Sequence, residues 1–546
     1  MSQTSKVLRE SHNQTQPTPF LDRFDEIVAR TPDKLAIVDL VAGSVHQLTY
    51  RELSALADRI ATHLIQVGIA QGEAVAYQLP SGWAFIALTL GIWRAGAVAC
   101  PLLPSLRERE VRFILESSGS QLFVIPDEFR NYRYLDMAES VVDSLSQHIT
   151  IFVLEEVSDN PQTTTLGGLL ADKPDYEALA LRRPGQEATA QLLYTSGTTG
   201  EPKGVLHTFG TLSYALASHT RTLELTAEDT VWVPSPLAHQ TGFLYGMMVS
   251  QYLGATGVYH AIWSVDTAKK AIEEYGARFV QAAMPFLADI TRSENPPLGL
   301  RIFVATGAAI PRQLAGDARQ SLKCAVVGAW GSTECCLVTV GRPDDAPEKL
   351  WGTDGRVIDG MAIRVVNDDG NVLPPGVEGN FQVKTPAMFS TYLHHHEWVQ
   401  EALAEDGFFD TGDLAVIDAD GYLHITGRKK DVINRGGEKV PATEIEDVLY
   451  RHPAVLDIAI AAMPDERLGE RACAFVVVKE AAHKPNLADL CTFLEAEGVA
   501  KIYWPERVEY LNELPRTASG KIQKFVLRKQ IEEKLRSGAQ QAQGAL

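Results

Sequence analysis

The run Leu193-Tyr194-Thr195-Ser196-Gly197-Thr198-Thr199-Gly200-Glu201-Pro202-Lys203-Gly204 concentrates more chemistry than any other part of this chain. A short apolar stretch, residues 191–194, ends in a loop of Gly, Ser and Thr that closes on Lys203. Small residues let several backbone N–H groups converge on one point without Cβ obstruction. The hydroxyls add donors, and Lys203 adds a compact positive charge. A triphosphate needs this combination. A Walker loop would set Gly-Lys-Ser/Thr at the opening of a helix. Here Pro202 and Gly204 flank the lysine, so the clamp is of another type. Taken alone, such a loop also reads as a solvated connector.

Further strings follow it in order: Thr306-Gly307-Ala308-Ala309-Ile310-Pro311, Trp330-Gly331-Ser332-Thr333-Glu334, Asp410-Thr411-Gly412-Asp413, Gly427-Arg428 and Pro515-Arg516-Thr517-Ala518-Ser519-Gly520-Lys521. With the loop, they resemble the signature motifs of the adenylate-forming superfamily: acyl-CoA synthetases, nonribosomal-peptide adenylation domains and luciferases. The resemblance covers roughly residues 24–531. It is strongest to bacterial short- and medium-chain fatty acyl-CoA synthetases and cyclohexanecarboxylate–CoA ligases. The segments Ala238-His239-Gln240-Thr241-Gly242-Phe243-Leu244, Asp465-Glu466-Arg467-Leu468-Gly469-Glu470-Arg471 and residues 515–524 carry that likeness.

The resemblance implies an enzyme that turns a carboxylate into an acyl-adenylate and hands it to a thiol, with ATP, Mg²⁺ and CoA. It assigns Thr195, Ser196, Gly197, Thr198, Thr199, Gly200 and Lys203 to the phosphates, with Thr195 also in the catalytic set. Gly307, Ala308 and Ala309 would border the base. Trp330 would lie near adenine, with Gly331, Ser332 and Thr333 at the nucleotide and Thr333 on the α-phosphate. Glu334 would bind Mg²⁺, a hard cation suited to carboxylate and phosphate oxygens. Asp413 would accept from the ribose hydroxyls, and Arg428 would reach ribose or phosphate. Lys521 would bridge the acyl carboxylate and the α-phosphate. Lys430 would be the hinge, and Gly436 and Gly437 would line a thiol tunnel. His239 reads as a gate or pocket residue, or as a structural histidine. Two departures stand out. Lys501-Ile502-Tyr503-Trp504-Pro505 lacks a second lysine that relatives carry, and Thr385 stands where a glycine is usual.

For the acid, the vicinity of His239 offers Gln240, Phe243, Tyr245 and Met248, with Gly331 across from them and no carboxylate among residues 236–248. An uncharged, apolar acyl tail follows, medium-chain or alicyclic, and Gly331 in place of a second tryptophan implies a pocket deeper than acetate requires. No carrier module follows residue 546, which disfavours transfer in cis. A stand-alone ligase loading a separate carrier protein, one forming an amide with an amine, and a non-catalytic relative are the alternatives. Intact Lys203, Glu334, Asp413 and Lys521 speak against the last.

The elements that must position these residues read as α/β. Apolar strand-like runs at residues 74–80, 121–125, 150–154, 278–280 and 301–307 alternate with helical patterns. Residues 351–423 change to short alternating strands with Gly-Pro turns, a β-rich subdomain. The reading is a large N-terminal domain with stacked mixed sheets flanked by helices, residues 1–427, and a small mobile α+β domain, residues 428–546. A length of 546 residues requires more than one core. The most hydrophobic segment, residues 85–104, carries Arg94 and ends in prolines, so a buried helix and strand is expected rather than a membrane span. A net charge of −19 leaves no basic excess for nucleic acid. Six scattered cysteines lack metal-ligand spacing and point to a reducing cytoplasm. The run His394-His395-His396 reads as a solvated loop, because consecutive histidines point different ways.

Overall fold

β-Branched and aromatic runs bounded by turns supply four main sheets. A computed structural model describes residues 17–41, 44–154, 168, 170, 172–195, 202–307, 312–435, 438–465, 467–480, 483–517 and 520–543. Among them lies a nine-stranded sheet whose interior strands, Leu35–Val41, Gly257–Tyr259, Val231–Val233, Phe279–Ala282, Ile302–Ala305 and Ala325–Ser332, run parallel. These strands are almost wholly buried, which is why they read as unbroken apolar runs instead of alternating ones. A seven-stranded sheet holds Ala74–Tyr77, Val98–Pro101, Leu122–Ile125 and Thr150–Val153 in parallel, then Thr189–Thr195 and Lys203–Thr208 as an antiparallel pair. Both sheets send side chains into one core, with Ile37, Val231 and Phe279 from one and Val75, Ala190 and Val205 from the other.

The four-stranded sheet, Ala362–Val366, Gly379–Lys384, Phe409–Ile417 and Leu423–Arg428, is antiparallel throughout and lies largely in the stretch read as β-rich. A five-stranded sheet follows, centred on Val455–Asp465 and Gly469–Val478. The chain leaves the former at Arg428 and enters the latter at Ile433, crossing in one tight turn, Lys429–Asp431.

The hydrophobic segment around Arg94 is the buried helix Trp83–Arg94 followed by the buried strand Val98–Pro101. Its N-cap residue, Gly82, has no side chain to offer, and the Asp39 carboxylate accepts from the Trp83 N–H at 3.0 Å instead. A Cβ on Gly82 would lie 2.3 Å from that carboxylate oxygen, so glycine is required there. At the other end the Arg94 guanidinium donates to Asp25 at 2.5 Å and Asp58 at 2.6 Å, which compensates its burial. The Trp93 indole donates to the Ala190 carbonyl at 2.7 Å, so this helix fixes the strand that leads into the phosphate loop. Among the described residues no helix is long and apolar enough to cross a membrane.

Candidate active site

Thr195 and Lys203 face each other as the last register pair of the Thr189–Thr195/Lys203–Thr208 hairpin. The connecting residues Ser196, Gly197, Thr198, Thr199 and Gly200 lie outside the described residues, as do Ala308, Ala309, Gly436 and Gly437. The Lys203 ammonium sits 4.6 Å from the centre of the Trp398 ring and 5.1 Å from that of Tyr392. The Tyr392 hydroxyl donates to Glu334 Oε1 at 3.0 Å. One aromatic pair therefore carries the lysine and braces the carboxylate expected to hold the metal ion.

Glu334 stands in the turn between Ala325–Ser332 and Cys336–Val340. The Glu334 and Cys335 N–H groups both donate to Ser332 Oγ, at 3.2 and 3.3 Å. Cys336 takes a left-handed φ of 56°, a strained conformation for a residue with a side chain. His207 clamps the turn from the neighbouring sheet, its Nε2–H donating to the Thr333 carbonyl at 2.7 Å. Burial pushes this imidazole down to about 4, so it is neutral at pH 7 and carries its proton on the nitrogen that meets the carbonyl. No motif pointed to His207, because its role depends on a strand 126 residues away in sequence.

Asp413 and Trp330 meet directly. The indole N–H donates to Asp413 Oδ2 at 2.9 Å, and Arg428 Nε lies 3.0 Å from Asp413 Oδ1. Asp413 and Arg428 are also cross-strand partners. The Trp330 ring stands edge-on to Phe381, 4.7 Å between centres.

Lys521 comes from the five-stranded unit. Its loop is closed by the Thr517 N–H on the Lys521 carbonyl and by the Arg516 guanidinium on the Gly520 carbonyl, at 2.8 and 2.6 Å. Gly520 has φ +85°, and a Cβ there would lie 3.0 Å from Ala283 Cβ. Gly520 is thus seated against the end of the strand Phe279–Ala282 and the start of the helix Met284–Thr291. Burial holds the Lys521 ammonium below the usual lysine range; Arg428 pushes the same way, while Asp413 and Glu334 oppose it. The His239 imidazole, pushed down to about 4 by burial and then by Lys521, completes the group. Residues 239, 334, 413, 428 and 521 converge on one place.

On the acyl side, Phe243 is fully buried and edge-on to Phe85 and Trp93, and Met248 is equally enclosed. Tyr245 spends its hydroxyl on the Leu337 N–H at 2.5 Å, and Gln240 Nε2 lies 3.9 Å from Cys336 Sγ. Both therefore abut the strand opposite Gly331, which pairs with Leu337. A Cβ on Gly331 would come 2.3 Å from the Cys336 carbonyl oxygen. This glycine is needed for close approach within the hairpin, so it is not simply an open floor that a larger residue could fill. Gly307 has φ +94°, which suits the small-residue turn read there. Lys430 lies in the turn joining the two sheets. The three histidines do point apart: His394 to the Ser117 carbonyl, His395 to Glu397, and His396 to Thr391. Among the described residues no three His, Cys, Asp or Glu side chains gather as a metal site.

The profile of the AMP-binding enzyme family matches residues 24–393, and that of the AMP-binding enzyme C-terminal domain matches residues 444–521. The chain belongs to the AMP-binding enzyme family. It is 36% identical over 94% of its length to the medium-chain fatty-acid–CoA ligase of Escherichia coli, covering 90% of that protein. It is 31% identical over 95% of its length to the 2,3-dihydroxybenzoate-AMP ligase of Bacillus subtilis, covering 95% of it. The fold is similar to ATP-bound MatB from Rhodopseudomonas palustris, with a TM-score of 0.81 and 25% identity over 94% of this chain and 99% of that one. As an AMP-binding enzyme, the chain takes ATP, and the converging charges described above lie within its two matched regions or between them.

Proposed function

We propose that this AMP-binding enzyme activates an apolar medium-chain or alicyclic carboxylic acid with ATP and transfers the acyl group to CoA. The observation that carries this is the convergence of Lys521 on Glu334, Asp413, Arg428 and His239. A carboxylate oxygen attacks the α-phosphorus, the bond to the β-phosphate oxygen breaks, and pyrophosphate leaves. Lys521 supplies a fixed positive charge where charge builds up on the reacting oxygens. Asp413 and Arg428 hold the ribose, and Lys203 and Thr195 hold the phosphates. In the second step the thiol sulfur attacks the acyl carbon and AMP leaves.

Glu334 fits Mg²⁺: Oε1 takes the Tyr392 hydroxyl, and Oε2 has no protein donor among the described residues. One carboxylate plus substrate phosphates is a common way to hold this ion. When bound, the metal neutralises phosphate charge.

The 36% relative and the carboxylate-free stretch around His239 support an apolar acid. The acyl pocket is assigned to His239, Gln240, Phe243, Tyr245, Met248 and Gly331. The domain boundary falls at the turn Lys429–Asp431, with Lys430 as hinge and Gly436 and Gly437 on the thiol path. Six free thiols, five of them buried, suit the cytoplasm.

The test is acid-dependent pyrophosphate release across C2 to C12 linear acids, cyclohexanecarboxylate, benzoate and amino acids, each with CoA, a carrier protein or an amine. Each buried methylene contributes about 0.8 kcal/mol, so kcat/KM should climb roughly fourfold per carbon up to the pocket's limit. An optimum at acetate or an amino acid refutes the acid assignment. Product with a carrier or amine but none with CoA refutes the acceptor.

A further inference from the structure

Resting on the reading of this site as a nucleotide site, we infer that Trp330 is a positioning residue whose indole N–H orients the Asp413 carboxylate and thereby sets selectivity for the ribose hydroxyls. Asp413 is only 5% exposed, and its backbone comes from a distorted stretch of strand. Gly412 takes φ +73°, its N–H donates to Asp410 Oδ1 at 2.9 Å, and the Asp413 N–H donates to Thr411 Oγ1 at 3.1 Å. Thr411 Oγ1 in turn donates to the Phe381 carbonyl at 2.8 Å. The backbone is thus pinned, while rotation of the carboxylate about its last torsion is broad for an aspartate. One hydrogen bond removes that freedom, Trp330 Nε1 at 2.9 Å on Oδ2; Arg428 Nε lies 3.0 Å from Oδ1 as an ion pair, and Oδ1 accepts no hydrogen bond among the described residues.

The two contacts are unequal. The Arg428 side chain is half exposed, on the strand end that leads into the Lys429–Asp431 turn. The Trp330 ring is 9% exposed, wedged edge-on against Phe381, and sits at the register shift between Trp330 and Gly331. That irregularity turns the indole across to the four-stranded sheet. A carboxylate has about four acceptor positions, so each oxygen keeps one for a sugar hydroxyl. Losing the indole N–H frees the carboxylate to rotate, and the sugar hydroxyls then lose their fixed acceptors while the base and phosphates keep theirs.

The test compares ATP with 2′-deoxyATP and 3′-deoxyATP. Affinities are measured by calorimetry on the full chain without acid, and kcat/KM is measured with the best acid. The variants are Trp330→Phe and, to keep volume while removing only the N–H, Trp330→3-benzothienylalanine introduced site-specifically. Asp413→Ala marks the floor. The native chain should prefer ATP over the deoxy analogues by on the order of a hundredfold, and each variant should cut that preference about tenfold, near the worth of a hydrogen bond to a charged group. Affinity for the deoxy analogues themselves should hardly move. Equal weakening of ATP and its analogues would make the indole a stacking or packing surface and overturn the inference. An unchanged preference in the isosteric variant overturns it too. A native chain with no preference at all overturns the assignment of Asp413 to ribose as well, whereas preference in binding without turnover of any acid defeats only the proposed reaction.

Discussion

Lys521 is a cation in a site where burial and Arg428 both disfavour its charge. Lys521→Ala should slow adenylation by roughly two to four orders of magnitude, about 3–5 kcal/mol of barrier. The same variant supplied with acyl-AMP should still form product, measured by quenched flow. Equal loss in both half-reactions argues against that division of labour. Because the lysine acts protonated and its titration is pulled down, adenylation should fall as pH rises through a value below the ordinary lysine range. Lys521→Arg should abolish that limb, whatever its absolute rate. His239, at about 4, stays neutral across this window and adds no limb of its own. Asp39 gives a stability counterpart. Burial raises its carboxyl from 3.8 to about 6 despite the Trp83 N–H. The folded chain therefore binds more protons than the unfolded one between those values, and this group's contribution declines as pH rises from 4 through 6, then levels off. Asp39→Asn keeps an acceptor for Trp83 and removes the titration. Relative to the native chain it should gain about 1 kcal/mol more at pH 8 than at pH 5, read from urea melts. An offset independent of pH would rule out Asp39 as the titrating group.

At the scale of elements, the helix Trp83–Arg94 shows how an apolar run with one cation is resolved. Ten consecutive residues, 85–94, are buried, and the arginine is tolerated because Asp25 and Asp58 meet it. Arg94→Ala leaves Asp58 without its cation, while Asp25 keeps Arg183, and should cost about 3 kcal/mol at pH 7. Part of that loss should return as the pH is lowered, because burial raises the Asp58 carboxyl above the ordinary range. A loss below 1 kcal/mol would mean that water reaches the carboxylates once the arginine is gone. The hairpin Ala325–Ser332/Cys336–Val340 makes a different point. Gly331 reads from sequence as spare room, but the Cys336 carbonyl lies where its Cβ would be. Pocket depth there is decided by strand pairing as much as by side-chain size.

In the whole molecule, the five-stranded unit is docked so that Lys521 enters the site, and contacts among the described residues hold that pose. Gly520 lies on Ala283 and Pro285, and Arg292 donates to the Tyr450 hydroxyl at 2.6 Å. The crossing turn is tied on both sides, Lys429 to Asp410 at 2.7 Å and Arg528 to Asp431 at 3.3 Å. Arg292→Ala removes a hydrogen bond worth about 1 kcal/mol. It should slow pyrophosphate exchange a few-fold and leave thioester formation from acyl-AMP intact or faster. Unchanged exchange would show that the contact carries no weight in the pose. Lys430→Pro removes a backbone donor and fixes φ. If the unit must rotate between half-reactions, exchange should survive while CoA consumption falls. A full overall rate would place the hinge elsewhere.

Sequence alone determined the α/β class, the β-rich unit and the buried helix at Arg94, and the resemblance of its short motifs pointed to the charged residues from Lys203 to Lys521. Strand runs, turn glycines and short motifs are local, and local propensity and spacing suffice to read them. Only the tertiary structure decided which side chains meet. His207 on the Thr333 carbonyl, Trp330 on Asp413, and Tyr392 between Lys203 and Glu334 join residues 58 to 189 positions apart, through sheets paired by non-local contacts. It also shows Phe243 packed edge-on against Phe85 and Trp93, with Met248 enclosed in the same core cluster. Hydrophobic periodicity marks a side chain as inward-facing, but whether it meets a substrate or another helix depends on where the neighbouring elements stop.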